Sequence, residues 1–589
     1  MANPKYDVIV VGAGSAGAAL ATRLSEDPSR RILLIEAGHD YPNIDELPDE
    51  IRQGHATGAD MAIDPDSDHN WGLTAKATPF YKDMPVPRGK ITGGTSAING
   101  QVYLRAIPED FDYWVDEGND EWSFEKILPF LKKLENDLDV TNHYHGNEGP
   151  IVVRRYQPEE LTDDQSAFIE AATTAGFPHT DDHNHPASSG VGPLPLNNPD
   201  GIRWSTAIGY LTMARDRPNF TISPDSHTTR ILLNGKRAVG VEYQKAGSSI
   251  QVNAEEVVLS AGSIGTPHLL MLSGIGPAKQ LENAGITVVN DMPGVGQNLR
   301  DHPSVHVRWS ADDNFSMPDV KIGPQKVALR YTARGSPFRN DMIAVMRWDS
   351  PKREFMMSAG LYLAKASGEL RLNSNNPFQQ PALDYRLLNH PYDLSRMRDA
   401  IHMHIEFGRH AAFHGIFKDL IDPLKPDLES DESLNNWMLK RVSTMHHISC
   451  TAKMGSQEDT MSVVNQYGMV HGIEGLTIAD ISIMPDCPRA NTNSPAIMIG
   501  ERIASFMMAQ NTEDKKFANW AMTRSTNETV NQKFESQMSA TKLPRHGPLI
   551  HLMTRIPNYE NQRKYGGYHQ ARSMTPAELP RDNIRHFYA

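Results

Sequence analysis

Three glycines and one acid carry the first legible chemistry of the chain. Gly12, Gly14 and Gly17 stand in GAGSAG, directly behind the β-rich run YDVIVV (Tyr6 to Val11) and ahead of the helix-favouring AALATRLSE. In strand–turn–helix context Gly12 permits a tight turn, Gly14 lets the backbone approach a pyrophosphate and Gly17 lets the helix pack on the strand. The helix N-terminus then faces the phosphates, with Ser15 in the same turn. About 20 residues on, RILLIEAG ends a second apolar run with Glu36 and Ala37, where an acid holds ribose hydroxyls. The fingerprint predicts a dinucleotide site without choosing between FAD and NAD.

Two histidine groups offer other chemistry. In MHHISCTAKMG, Met445 to Gly455, His446 and His447 are adjacent imidazoles, the side chain whose ordinary pKa near 6.5 suits proton abstraction at neutral pH. In FPHTDDHNHPASSG, His179, His183 and His185 flank Asp181 and Asp182, a composition that suggests a metal. A polar loop with Pro and Gly accounts for that segment, and no metal is expected.

Longer segments carry a family resemblance. PRGKITGGTSAIN (Pro87 to Asn99), continuing as GQVYLR, and GSIGTPHLLMLSGIG (Gly262 to Gly276) resemble signatures of the glucose/methanol/choline (GMC) oxidoreductases. The second fits that pattern throughout; the first departs at Thr92, where the family carries an aliphatic residue or Trp. GVGQNLRDHP (Gly294 to Pro303) and HNWGL (His69 to Leu73) look like family segments too, so the likeness runs from about Tyr6 to about Met508. It implies an α/β fold: a Rossmann-like FAD-binding domain assembled from 1–155, 205–305 and 450–510, and an α+β substrate domain with an antiparallel sheet from 156–204 and 306–449. It also places Trp71, Gly94, Thr95, Asn99, Gly100, Thr229, Ala261, Asp480, Ile481, Asn491 and Pro495 along the cofactor. Ile98 stands where some members attach flavin through His, so noncovalent FAD is expected.

The family's active-site pattern is His, two variable residues, Gly or Cys, Thr, two more residues and Met-Gly. Counting back from Met454–Gly455 through Thr451 and Cys450 selects His447, with His446 a neighbour. The second partner, His or Asn before a Pro and a long helix, is assigned to Asn493 in ANTNSPAIMIGERIA, with Ser494 capping that helix and Pro495 opening it. The implied reaction is oxidation of a small-molecule alcohol to an aldehyde or ketone. His447 removes the hydroxyl proton, Asn493 stabilises the developing oxyanion and hydride passes to flavin. Oxygen or a quinone-like acceptor then reoxidises it. The resemblance also covers lyases of the hydroxynitrile type and flavin photodecarboxylases, which stand as alternatives.

The elements that must position these groups are readable in part. TRILLNGKRAVGVEYQ and SIQVNAEEVVLSAG read as strands and DLSRMRDAIHMHIEFGRH as an amphipathic helix. GTPHLLMLSGIG reads as a helix starting after Thr266 and Pro267 and stopping at Gly274. At 589 residues two spatial domains are expected. The net charge of −14 argues against a nucleic-acid partner, two cysteines exclude a disulfide scaffold, and no apolar run reaches membrane-spanning length. Without a leader-like start, a cytoplasmic enzyme is expected. Residues 511–589 hold 12 Lys/Arg against 7 Asp/Glu, a basic extension on an acidic body. It reads as an arm that wraps the body or joins a second subunit as a homo-oligomer, with disorder equally open.

Overall fold

The computed structural model describes residues 6–54, 61–81, 83–317, 325–349 and 351–528, with side chains to residue 510. It divides into a unit of residues 1–514 and a second of 515–589. The first holds the two large sheets; in the second, the described residues are the helical ones to Glu528. The expected roles of an arm at 511–589 otherwise lie outside the described residues.

The first sheet grows from the strand Tyr6–Val11. It pairs in parallel with Ile32–Ile35 on one side and with Ser248–Leu259 on the other, while Phe220–Ser223 and Leu476–Ile478 extend the parallel set. Val8, Ile9, Val10, Ile32 and Leu34 are fully buried, as expected for parallel strands covered on both faces. The strands read from TRILLNGKRAVGVEYQ form the hairpin His227–Asn234 and Arg237–Lys245, antiparallel to Ser248–Leu259. All of these strands fall within 1–155, 205–305 and 450–510.

The second sheet is antiparallel, in the order Phe417–Asp422, Pro303–Ala311, Glu354–Leu361, Met342–Asp349, Val327–Tyr331, Gly190–Pro193, with Ser443–Thr444 pairing Pro303–Ala311. Its strands fall within 156–204 and 306–449, save that the one beside Glu354–Leu361 and Phe417–Asp422 starts at Pro303. The helix expected from DLSRMRDAIHMHIEFGRH spans Pro391–Gly408.

Two helix starts differ from expectation, each for a physical reason. The helix read as starting after Pro267 spans Gly262–Leu272, so Pro267 lies inside it. Thr266 does not cap it: Asp480 accepts from Gly262 N (2.9 Å) and Thr266 Oγ1 (2.5 Å), serving the first turn from another segment. The proline leaves the Ser263 carbonyl without its helical donor, and the Thr451 hydroxyl donates to that oxygen at 2.7 Å. The long helix begins at Asn493, two residues before Pro495, and runs to Glu528. Ser494 and Pro495 thus sit inside its first turn, where a missing N–H costs nothing because the first four amides have no helical acceptor.

Glycine contacts hold the phosphate-facing turn. Gly12 has φ +99°, and a Cβ there would meet Ser260 O at 2.5 Å; a Cβ on Gly17 would meet Gly12 O at 2.0 Å. Further along, Gly500 packs against Ala16, where a Cβ would meet its carbonyl oxygen at 2.3 Å. The neighbouring Glu501 is buried and receives Arg23 Nε, Tyr210 Oη and Lys133 Nζ, so the helix from Asn493 is fixed against Ser15–Leu24. Gly17→Ala should therefore destabilise the protein by about 3 kcal/mol. Urea denaturation checks this, and an unchanged midpoint would contradict the packing account.

Candidate active site

A cavity of about 790 Å³ separates the two sheets and is lined by residues of both. This is within the usual range for a cofactor-sized site. Of the residues expected along a cofactor, Gly12, Gly14, Ser15, Glu36, Ala37, Trp71, Gly94, Thr95, Asn99, Gly100, Ala261, Asp480, Ile481 and Asn491 line it. Three do not. Gly17 packs helix on strand, Pro495 lies within the helix from Asn493, and Thr229 turns away to donate to the Glu242 carbonyl at 3.2 Å while Thr228 faces the cavity.

The cofactor end fits a dinucleotide. Glu36 is oriented by Ala13 N on Oε2 and Gly38 N on Oε1, both at 2.9 Å, leaving carboxylate lone pairs for hydroxyl donors. Burial raises its pKa from the usual 4.5 to about 7, against the opposing effect of those amides. The glycine loops meet closely, since a Cβ on Gly94 would strike Gly14 Cα at 2.6 Å. At Gly100 and Gly262 a Cβ would meet nothing within 4 Å, leaving backbone open for a planar or anionic group. Trp71 is packed by His227 edge-on at 5.4 Å and by Lys90 at 5.5 Å.

The reactive end is built on His447. It follows the strand Ser443–Thr444, and its backbone N donates to Asp301 Oδ1 at 3.0 Å. Asp301 is buried, which raises it to about 6, and its other oxygen accepts from the Thr444 hydroxyl. His446 has φ +67°, a left-handed turn. It exposes its ring to the cavity yet lies deep beneath the outer surface, and that depth, then Arg88 and Arg347, lower it to about 3.

The two nitrogens of His447 have different partners. Nδ1 lies 2.9 Å from Nδ1 of His302, and Nε2 lies 3.1 Å from Nδ2 of Asn491. Asn491 settles where the protons are. Its amide nitrogen can only donate, so Nε2 of His447 carries the lone pair and Nδ1 the hydrogen. His447 must then donate from Nδ1, leaving its Nε2 lone pair toward Asn491 and the cavity. Cys487, whose Sγ is 3.1 Å from His302 Nε2, closes the chain behind. Burial, then His302, His446 and Arg88, hold His447 well below the ordinary imidazole range. It is therefore neutral and ready to accept a proton.

The expected pairing with Asn493 is not what the structure forms. Asn493 accepts from Ser15 Oγ at 2.7 Å, tying the long helix to the phosphate turn. Asn491, two residues earlier, is outside the helix and reaches His447. The ANTNSP segment holds two asparagines in one small motif, and only the helix boundary tells them apart. His302 was invisible as a site residue, although it stands in the RDHP segment singled out in the sequence. His179, His183 and His185 serve separate local roles: an exposed contact to Asp181, bonds from a buried ring to the carbonyls of Gly192 or Ala328, and acceptance from Ala187 N.

Among the described residues, one cluster has metal-ligand character, Glu135, Asp137 and His145. Arg105 pairs with Glu135, and Arg155 holds Asp137 at 2.8 Å and Asp182 at 3.0 Å. The carboxylates are thus already matched by cations, with His145 raised to about 10 among them against the opposing effect of its burial.

Comparison with known proteins agrees with this geometry. Residues 6–304 and 364–500 match the N- and C-terminal models described as GMC oxidoreductase. An oxygen-dependent choline dehydrogenase of Photobacterium profundum is 33% identical over 539 residues, covering 86% of this chain and 93% of its own. A second, from Chromohalobacter salexigens, is 34% identical over 545 residues, covering 85% and 94%. Among solved structures, pyridoxine 4-oxidase from Mesorbium loti superposes with a TM-score of 0.79 at 28% identity, covering 85% of this chain and 99% of that one. A formate oxidase of Aspergillus oryzae, studied for modification of its FAD, gives 0.79 at 25% identity, covering 87% and 100%. No helix of the described residues is long and apolar enough to cross a membrane.

The state of Glu36 makes cofactor affinity pH-dependent. Ribose hydroxyls donate to the ionised acid, so FAD should bind the apoprotein more tightly as pH rises through about 7. From pH 6 to pH 8 the gain should approach about tenfold, and Glu36→Gln should flatten it. Fluorescence titration with FAD reads this directly; tighter binding at pH 6 would contradict the assignment.

Proposed function

The chain belongs to the GMC oxidoreductase family and is an FAD-dependent oxidoreductase acting on the CH–OH group of an alcohol, and we propose that His447 and Asn491 form its reaction centre. The observation that carries this is the 3.1 Å approach of the Asn491 amide nitrogen to His447 Nε2, which leaves that nitrogen as the acceptor at the cavity while Nδ1 bonds His302.

FAD, when bound, supplies the hydride acceptor. The rest falls to the protein's own residues. His447 Nε2 takes the hydroxyl proton, which leaves electron density on oxygen to expel hydride from the carbinol carbon. Asn491 donates its amide hydrogen to the same oxygen as charge develops there, without carrying charge itself. Ser15 and Asn493 line the cavity, and the long helix begins there, its N-terminus favouring negative charge at that end. Asp301 and Thr444 hold the backbone that carries the base. His446 shapes the substrate wall.

FAD is held noncovalently in this reading, supported by the apolar Ile98 beside Asn99. Oxygen is the favoured acceptor, on the strength of the relatives' names. The remaining cofactor contacts are those cavity residues placed above, and the two sheets are the cofactor and substrate domains. Cytoplasmic residence fits the two free, buried thiols, and a homo-oligomer through 511–589 rests on the charge of that extension alone. The lyase and photodecarboxylase alternatives find no support among these relatives, which are named dehydrogenases or oxidases.

Anaerobic addition of a broad alcohol panel tests the reaction: the oxidised flavin should bleach. Product without bleaching would indicate a lyase instead. In the same assay His447→Ala should slow reduction by about a hundredfold or more, and His446→Ala much less. Asn491→Ala should cost more than Asn493→Ala. The reverse order for either pair would return the site to a different register.

A further inference from the structure

Beyond the reacting atoms, the cavity has a charged far wall. On the strand Met342–Asp349, the alternate residues Ile343, Val345 and Arg347 all line the cavity. The register sets them in rows. Ile343 lies across Gly360 from Ser304, in the row that pairs with Ser443 and leads into His446 and His447. Val345 lies across Ser358 from His306, whose Nδ1 and the Ser358 hydroxyl are 2.7 Å apart. Arg347 stands one row further, about 13 Å along the strand from Ile343 at 3.3–3.4 Å per residue.

Arg347 is half-buried, and its Nε is fully covered without a hydrogen-bond acceptor. Among the described residues no carboxylate pairs with it, whereas Arg308, in the same row two strands over, is taken by Glu354 at 2.9 Å. The described cavity wall has two carboxylates, Glu36 and Asp480, both at the cofactor end and both occupied by backbone amides. Its large aromatic side chains, Trp71 and Phe378, are gathered on His227. At the sheet end the carboxylates one row beyond, Asp349 and Glu354, are taken by Arg308 and Lys352 and lie outside the cavity lining.

We infer that the substrate is an alcohol carrying a carboxylate at its far end, which Arg347 binds while the hydroxyl meets His447 and Asn491. A planar guanidinium suits a carboxylate because it offers two parallel N–H donors, and Ser304, Ser358 and His306 line the path between the two ends. The inference rests on the oxidation reading. It separates this chain from the named function of its choline-oxidising relatives, because a quaternary ammonium group would meet Arg347 where it needs an anion or an aromatic face.

The test uses the holoenzyme with three probes of equal length: 8-hydroxyoctanoate, 1-octanol and 8-amino-1-octanol. The hydroxy acid should exceed the neutral alcohol by about tenfold or more in kcat/KM, mostly through KM, and the amino alcohol should be poorest. In Arg347→Gln the ratio of hydroxy acid to neutral alcohol should fall to near one, and in Arg347→Glu the amino alcohol should overtake. The ranking in unaltered enzyme needs no variant to fold. If neutral alcohols bleach the flavin as well as hydroxy acids do, or the preference survives in Arg347→Gln, the inference is overturned and alcohol oxidation stands. If no alcohol bleaches it, both fall.

Discussion

The hydrogen bond between Nδ1 of His302 and Nδ1 of His447 is the contact on which the site depends. Two imidazoles meeting nitrogen to nitrogen can bond only if one donates and the other accepts. The Asn491 amide nitrogen on the other side of His447 decides which, since it can only donate. The lone pair on His447 Nε2 follows, and burial beside two other histidines keeps the base neutral. His302 is adjacent to Asp301, which holds the backbone of His447, so one short segment positions the base and receives its Nδ1 hydrogen. Both sheets must be in place for this, since Pro303 starts a strand of the second and Asp480, at the end of the first, caps the helix from Gly262.

Much of the first sheet was legible because local signals agreed there. Strand, glycine turn, helix and acid from Tyr6 to Glu36 are each specified by neighbours in sequence, and the backbone adopts them as read. Helix starts were less legible, because their caps come from afar. Thr266 and Pro267 look like a helix opening, yet Asp480 and Thr451 supply what that segment lacks, from residues some two hundred positions away.

The reaction centre shows the same limit. Motif spacing distinguished His447 from His446, but it could not distinguish Asn491 from Asn493, since both flank Thr492 before the same proline. What separates them is whether the residue lies before the helix or in it: one reaches His447, the other Ser15. Arg347 was silent for a different reason. An arginine in an alternating strand is ordinarily solvated, and only strand register turns this one toward the cavity. The substrate thus depends on pairing across the second sheet, the least local information in the chain.

Neutron diffraction from crystals of the oxidised holoenzyme in D₂O would observe the decisive atoms. The account predicts deuterium on Nδ1 of His447 and on Nε2 of His302, with Nε2 of His447 bare and facing the substrate space. Deuterium on Nε2 of His447, with its Nδ1 accepting from His302, would contradict it.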